Sequence, residues 1–289
     1  MAHIIMAYKD PPQIERLVKK MSHPDFDFYI HVDTKFDITP FAYLGRIERV
    51  YLIHNRRKVR WAGYSFTQAL LDSVEEILNS GRKYDYINSM SGQDYPIKSV
   101  HDFYSFIQEH QGKNFFAIEK YGSDWWNHAE KRVTHYHMTD FDFKGRYQLQ
   151  FFINQLMPKR KFPYGYTLYG SNRATWWTIT RECATYLVQF MKKNGRVKRF
   201  AKFTWAPDEF LIPTIIMNSP FKDTVVPENY RYFDWSLGGS NPKILTVKDF
   251  DAVAQSEFFF ARKFDIKVDT AILDMIDAHL LDEVASRQV

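Results

Sequence analysis

The sequence predicts an α/β fold of nucleotide-binding layout, with a mainly parallel central sheet flanked by helices. Apolar runs of strand length alternate with amphipathic helices through the first 120 residues or so, and capping and breaking residues punctuate the joins. Repeated βαβ units of this sort close only into a mainly parallel sheet.

The elements follow in order. His3 to Tyr8 reads as a buried strand. Pro12 then opens a helix whose Ile14, Leu17, Val18 and Met21 fall on one face. Phe26 to Asp33 is the second strand and Val50 to His54 the third. Ser65 with Gln68 three residues on has the spacing of a capping box, and Gly81 closes the helix it starts. Tyr84 to Met90 is the fourth strand, Ser99 to Gly112 a capped helix, and Asn114 to Ile118 a fifth strand. Ligands of such sheets lie beyond the carboxyl ends of the strands, here Tyr8 and Lys9, Asp33, and Ser91 to Asp94. The second half is less regular: Gly165, Gly170, Gly238, Gly239 and Pro242 interrupt it, with helices expected at Thr180 to Lys193, Pro207 to Asn218 and Thr270 to Val284. With no linker or repeat, one domain over 1–289 is expected. A nucleotide-binding half runs to about residue 120, and an acceptor-side, catalytic half follows it.

Composition narrows the classes. A content of 45% hydrophobic and 25% charged residues is that of a globular protein, and no apolar run reaches the roughly 20 residues of a bilayer span. The N-terminus lacks a signal-peptide layout, so a cytoplasmic location is expected. The single cysteine, Cys183, excludes a disulfide framework and reads as a buried helix residue. A net charge of +5 suits an anionic ligand. The basic clusters Arg56 to Arg60 and Lys192 to Arg199 read as solvated faces or as a patch facing anionic lipid rather than a nucleic-acid groove. An aromatic share of 17% fits either an aromatic core or a sugar-binding cleft.

Three places bear on chemistry. The run Phe258 to Asp265, FFFARKFD, sets Arg262 and Lys263 among four aromatic rings, where cations are costly unless an anion answers them; an amphipathic element with two snorkelling side chains is the other reading. Asp-x-Asp, the usual holder of a divalent ion on a sugar diphosphate, occurs at Asp25/Asp27, Asp140/Asp142 and Asp249/Asp251, none of them after a strand of the parallel sheet. His135 and His137 lack a third ligand. No metal or other cofactor is therefore expected, and Arg262 with Lys263, assisted by Lys243, is expected to neutralise a leaving diphosphate. Lastly, Pro207-Asp208-Glu209-Phe210 is helix-start grammar. Glu209 there either answers the helix dipole or, kept ionised by it, serves as a general base.

Eight fragments resemble the core-2/I-branching glycosyltransferase family, which includes β-1,6-N-acetylglucosaminyltransferases and protein O-xylosyltransferases. They are YIHVDTK (Tyr29 to Lys35), WAGYS (Trp61 to Ser65), YDYINSMSGQDYPIKS (Tyr84 to Ser99), WWTITRE (Trp176 to Glu182), PDEF (Pro207 to Phe210), NSPF (Asn218 to Phe221), RYFDW (Arg231 to Trp235) and FARKFD (Phe260 to Asp265). The resemblance implies a GT-A-like fold, inversion, a UDP-sugar donor and no metal. It implies that Glu209 is the base, Asp33 the acid beside uridine, and Arg262 and Lys263 the basic pair at the diphosphate. It further places acceptor contacts at Arg132, Tyr230, Tyr232 and Asp234, with Trp176 near the donor sugar; of the strand-end residues, Asp94 is expected on the acceptor side and Tyr8, with Thr175 beside Trp176, on the donor side. Where the xylosyltransferases resemble Ser-Asp-Trp, this chain has Ala174-Thr175-Trp176. Without that carboxylate, N-acetylglucosamine is expected ahead of xylose. The expected reaction is transfer to a glycan or glycolipid hydroxyl in surface or capsular polysaccharide synthesis. UDP-xylose or another UDP-hexose, or a non-catalytic glycan-binding protein, is the alternative.

Overall fold

The computed structural model describes residues 1–286. Its main sheet has seven strands in the order β10-β6-β9-β4-β1-β2-β3. At its centre, β1 (Ala2–Ala7) runs parallel to β2 (Asp27–Val32) on one side and β4 (Tyr86–Ser91) on the other, and β3 (Val50–Leu52) extends the parallel set beyond β2. Successive β1 side chains alternate between two cores. Ile4 and Met6 face one, with α2 (Tyr64–Leu78), and Ile5 and Ala7 face the other, with α1 (Pro11–Lys20) and α3 (Val100–Glu109). Each such isoleucine, with no exposed surface, contributes about 1.5–3 kcal/mol.

The parallel pattern stops at β4. The expected fifth strand is only β6 (Asn114–Phe115), and it does not pair with β4. Between them lies β9 (Thr178–Thr180), antiparallel to both, just before the helix expected from Thr180 and where no strand is expected. The Asn114 side chain accepts the Thr180 N–H at 2.8 Å, and Ser89 Oγ accepts that of Trp177 at 2.9 Å. Thr180 is also the N-cap of α6 (Arg181–Lys193), accepting from the Cys183 N–H. α7 (Gly195–Lys202) follows directly.

A three-stranded sheet builds the site wall: β11 (Arg231–Phe233), β12 (Phe260–Arg262) and β5 (Asp94–Pro96), joined as β11-β12-β5. Residues from the first and last thirds of the chain thus share one sheet. Buried Arg231 pins it to the main sheet, donating to the Asn88 side chain and, at 2.9 Å, to Ser89 O. The strands β7 (Glu119–Lys120) and β8 (Tyr169–Gly170) pair antiparallel, and α4 (Asp124–Thr134) and α5 (Arg146–Leu156) lie between them in sequence. β10 (Val225–Val226) edges the main sheet, while α9 (Phe250–Ala254) and α10 (Ala271–Ser286) cover the second core.

Two expected helix starts differ. The capping box at Ser65 and Gln68 does not form. Gly63 is the N-cap of α2, and Asp140 from a distant loop accepts the Ser65 N–H at 3.0 Å and the Ser65 hydroxyl at 2.6 Å. A full carboxylate answers the helix end better than a hydroxyl would. The helix expected from Pro207 to Asn218 breaks at Phe210, whose φ of −146° is not helical. Pro207–Glu209 is a separate 3-10 turn, and the α-helix, α8, spans Leu211–Met217.

Candidate active site

Beyond the carboxyl ends of β1 and β2 lies a cavity of about 410 Å³, a volume suited to a small-molecule ligand. Tyr8 and Asp33 follow their strands into it, and Ser91, Gln93, Thr175, Trp176, Arg262 and Lys263 also line it. The Tyr8 hydroxyl donates to Gln93 at 3.0 Å. Asp33 is buried; its Oδ1 accepts the Lys35 and Val59 N–H groups at 2.9 and 3.2 Å, which leaves Oδ2 beside the Lys35 ammonium at 3.3 Å.

On the β12 wall the Arg262 guanidinium lies 4.6 Å from the Trp176 ring and 5.8 Å from that of Phe233. Its Nη1 is 3.4 Å from Asp94 Oδ1. That is an ion pair without a hydrogen bond: among the described residues Arg262 Nε and Nη1 and Asp94 Oδ1 are all buried without a hydrogen-bond partner. Lys263 makes no ion pair among the described residues, and burial, Arg262 and Lys9 hold its ammonium below the ordinary lysine range. Both cations are therefore stabilised by an arriving anion.

The opposite wall is the 3-10 turn. Ala206, at φ 48°, donates its N–H at 2.8 Å to Ala62, at φ 56°; two left-handed alanines thus meet where the chain reverses into Pro207. Asp208 and Glu209 both reach the cavity. The Thr175 hydroxyl donates to Asp208 at 2.8 Å. Arg132, from α4, donates to Glu209 and stacks over Trp205 at 4.4 Å and Trp125 at 5.4 Å. Burial pushes the Glu209 carboxyl up to about 7; Arg132 pulls it down and neighbouring Asp208 pushes it further up. Burial likewise raises Asp208, against the Thr175 hydrogen bond. The expectation that a helix dipole keeps Glu209 ionised fails, because no α-helix starts there. Arg132 supplies the positive charge.

Several expected residues lie elsewhere. Strand alternation sends Phe233 and Trp235 to the cavity, so Tyr232 and Asp234 face away from it. Asp234 accepts the Ser236 N–H at 2.8 Å, and Tyr230 packs in the second core, 4.7 Å from Phe106. The Lys243 ammonium is 2.5 Å from Asp249 and 3.6 Å from Asp234, away from the cavity. Asp94 lies behind Arg262 rather than at the surface of the cavity. Missed in the sequence were Asp208, Trp61 and Trp205; the last two precede Ala62 and Ala206, and only the fold shows that these turns meet.

Four of the six Asp-x-Asp carboxylates are engaged in caps or ion pairs, while Asp25 and Asp251 are exposed. Asp27 pairs with Arg49 at 3.1 Å and accepts from Tyr84 at 2.6 Å. Asp140 caps α2, Asp142 pairs with Arg60 at 2.5 Å, and Asp249 completes the capping box of the turn Val247–Asp249. Among the described residues no group of three His, Cys, Asp or Glu side chains is placed to hold a metal ion. His137 bonds Lys131 O at 3.0 Å, and Cys183 is buried with its thiol raised by desolvation.

Comparison with known proteins bears on these fragments. Xylosyltransferase 2 of Rattus norvegicus is 27% identical over 297 residues, covering 93% of this chain and 32% of that protein. Xylosyltransferase 1 of the same organism is 26% identical over 93% of this chain and 34% of its own length, and xylosyltransferase sqv-6 of Caenorhabditis briggsae is 26% identical over 91% and 34%. The chain spans about a third of the length of these relatives. Solved structures align loosely, for instance a putative glucose-1-phosphate thymidylyltransferase from Bacillus anthracis at TM-score 0.36 and 12% identity, over 78% of this chain and 85% of that one. The model of the Core-2/I-Branching enzyme family matches residues 1–255, and the chain belongs to that family.

Proposed function

We propose that this chain is an inverting glycosyltransferase that moves a sugar from a UDP-sugar to a hydroxyl of a glycan acceptor without a divalent metal. The observation that carries the reading is the pairing, in one cavity, of a buried carboxylate bound by Arg132 with two under-neutralised cations, Arg262 and Lys263. Glu209 takes the acceptor proton as the acceptor oxygen bonds to the anomeric carbon. The bond from that carbon to the diphosphate oxygen breaks, and its electron pair leaves with UDP. Inversion needs this one base and no second catalytic acid. Lys263 meets the charge that develops on the diphosphate, and Arg262, fixed by two rings and Asp94, supports it from behind. Asp33, beyond β2, is the carboxylate for the uridine end. The engagement of at least one carboxylate of each Asp-x-Asp pair in a cap or an ion pair supports the metal-free reading.

The donor sugar has two readings. Thr175 in place of a carboxylate favours N-acetylglucosamine, whereas the names of the relatives favour xylose. Thermal stabilisation by a panel of UDP-sugars, followed by UDP release with oligosaccharide acceptors, tests both. Stabilisation by at least one UDP-sugar and acceptor-dependent UDP release are expected; no stabilisation by UDP or any UDP-sugar would favour a glycan-binding protein instead.

A further inference from the structure

We propose that α5 and its flanks are a docking surface for the headgroup region of an anionic lipid bilayer. α5 has no buried residue, although it carries Tyr147, Leu149, Phe151, Phe152 and Leu156. Phe151 and Phe152 are 59% and 60% exposed and Leu156 is 83% exposed. At 100° per residue Leu149, Phe152 and Leu156 form one stripe and Tyr147 and Phe151 a second, with uncharged Gln148 and Gln155 between them. The outward surface of the helix thus bears no charge. Its inner side is strapped down by polar contacts, since the Asn154 side chain accepts the Tyr136 N–H and donates to Tyr136 O, and Gln150 accepts the Met138 N–H. The apolar residues are therefore held outward rather than left by a loosely placed segment.

Charge selects the partner. No Asp or Glu occurs between Asp142 and Glu182, while exposed Lys144, Lys159 and Lys161 bracket the helix. Asp142 itself is paired with Arg60 at 2.5 Å and faces Arg146 at 3.7 Å. An uncharged aromatic and aliphatic surface between cations matches the interface of an anionic membrane, where rings sit at headgroup depth and lysines meet lipid phosphates. The basic clusters that sequence alone offers for lipid fit less well, because Arg56 donates to Val32 O at 2.7 Å, Arg57 binds Asp72, and Lys192 pairs with Glu75 at 2.5 Å. The surface also adjoins the cavity, since Arg60, paired with Asp142, precedes the rim residue Trp61.

Co-sedimentation of the full chain with vesicles of phosphatidylcholine alone, or mixed in equal parts with phosphatidylglycerol, tests this without donor or acceptor, so its outcome is separate from that of the transfer reaction. The wild type is expected to pellet with the mixed vesicles and not the neutral ones, and to be released by added salt. Phe151→Glu with Phe152→Glu, and separately Lys159→Glu with Lys161→Glu, are each expected to lower partitioning at least tenfold with an unchanged melting temperature. Equal pelleting with neutral vesicles, or undiminished pelleting of both variants, would overturn the proposal. So would a wild type that ignores vesicles but forms a dimer in sedimentation velocity that the phenylalanine variant dissociates.

Discussion

Arg132 donates to the Glu209 carboxylate while its guanidinium lies 4.4 Å over the Trp205 ring, so a cation fixed by an indole face sets the charge state of the proposed base. With Glu209 raised to about 7 by burial, turnover is expected to rise with pH through that value as the carboxyl loses its proton. Arg132→Met removes the group that pulls this carboxyl down, so the acid limb of the kcat/KM profile should move upward by about one pH unit, with turnover at neutral pH lowered roughly 10- to 100-fold. An unmoved limb would show that another group titrates.

The two cations of β12 are expected to separate cleanly. Lys263→Ala should weaken UDP binding roughly tenfold or more and leave the urea midpoint unchanged, because its ammonium has no ion-pair partner among the described residues. Asp94→Asn should instead cost about 3 kcal/mol of stability by leaving Arg262 buried without a counter-charge. Calorimetry with UDP and equilibrium unfolding distinguish the two. A Lys263→Ala protein that binds UDP as tightly as the wild type would remove Lys263 from the diphosphate.

Gly170 is a test of how the base is positioned. A Cβ there would lie 2.6 Å from Phe210 Cβ and 2.7 Å from Glu209 O. Gly170→Ala should therefore destabilise by about 1–3 kcal/mol and displace the 3-10 turn. Its kcat should fall more than its affinity for UDP, because Arg262 and Lys263 are on the far wall.

Turnover is expected to persist in excess EDTA, measured as UDP release before and after chelation and dialysis. Loss of activity restored by Mn²⁺ or Mg²⁺ would overturn the leaving-group assignment to Arg262 and Lys263.

What the sequence made legible follows periodicity. The parallel strands β1 to β4 and the helices beside them are readable because continuous apolar runs and helical faces are local signals. β9 is not, because a three-residue strand placed antiparallel between β4 and β6 is fixed by side chains of Asn114 and Ser89 from other elements. At the site, Glu209, Asp33, Arg262 and Lys263 share one cavity as expected from motif resemblance. Tyr232 and Asp234 do not join them. A fragment such as RYFDW names the strand but not which alternate residues face inward, and that choice depends on its pairing with β12. The break at Phe210 was equally hidden, since PDEF has the same helix-start grammar whether the α-helix begins at Pro207 or at Leu211.

The most direct test of the central claim is turnover of Glu209→Gln, measured as transfer from the UDP-sugar that stabilises the protein and alongside UDP affinity. A loss of roughly a hundredfold or more in kcat is expected, with UDP affinity held within a few-fold. Transfer at a rate near that of the wild type would contradict it.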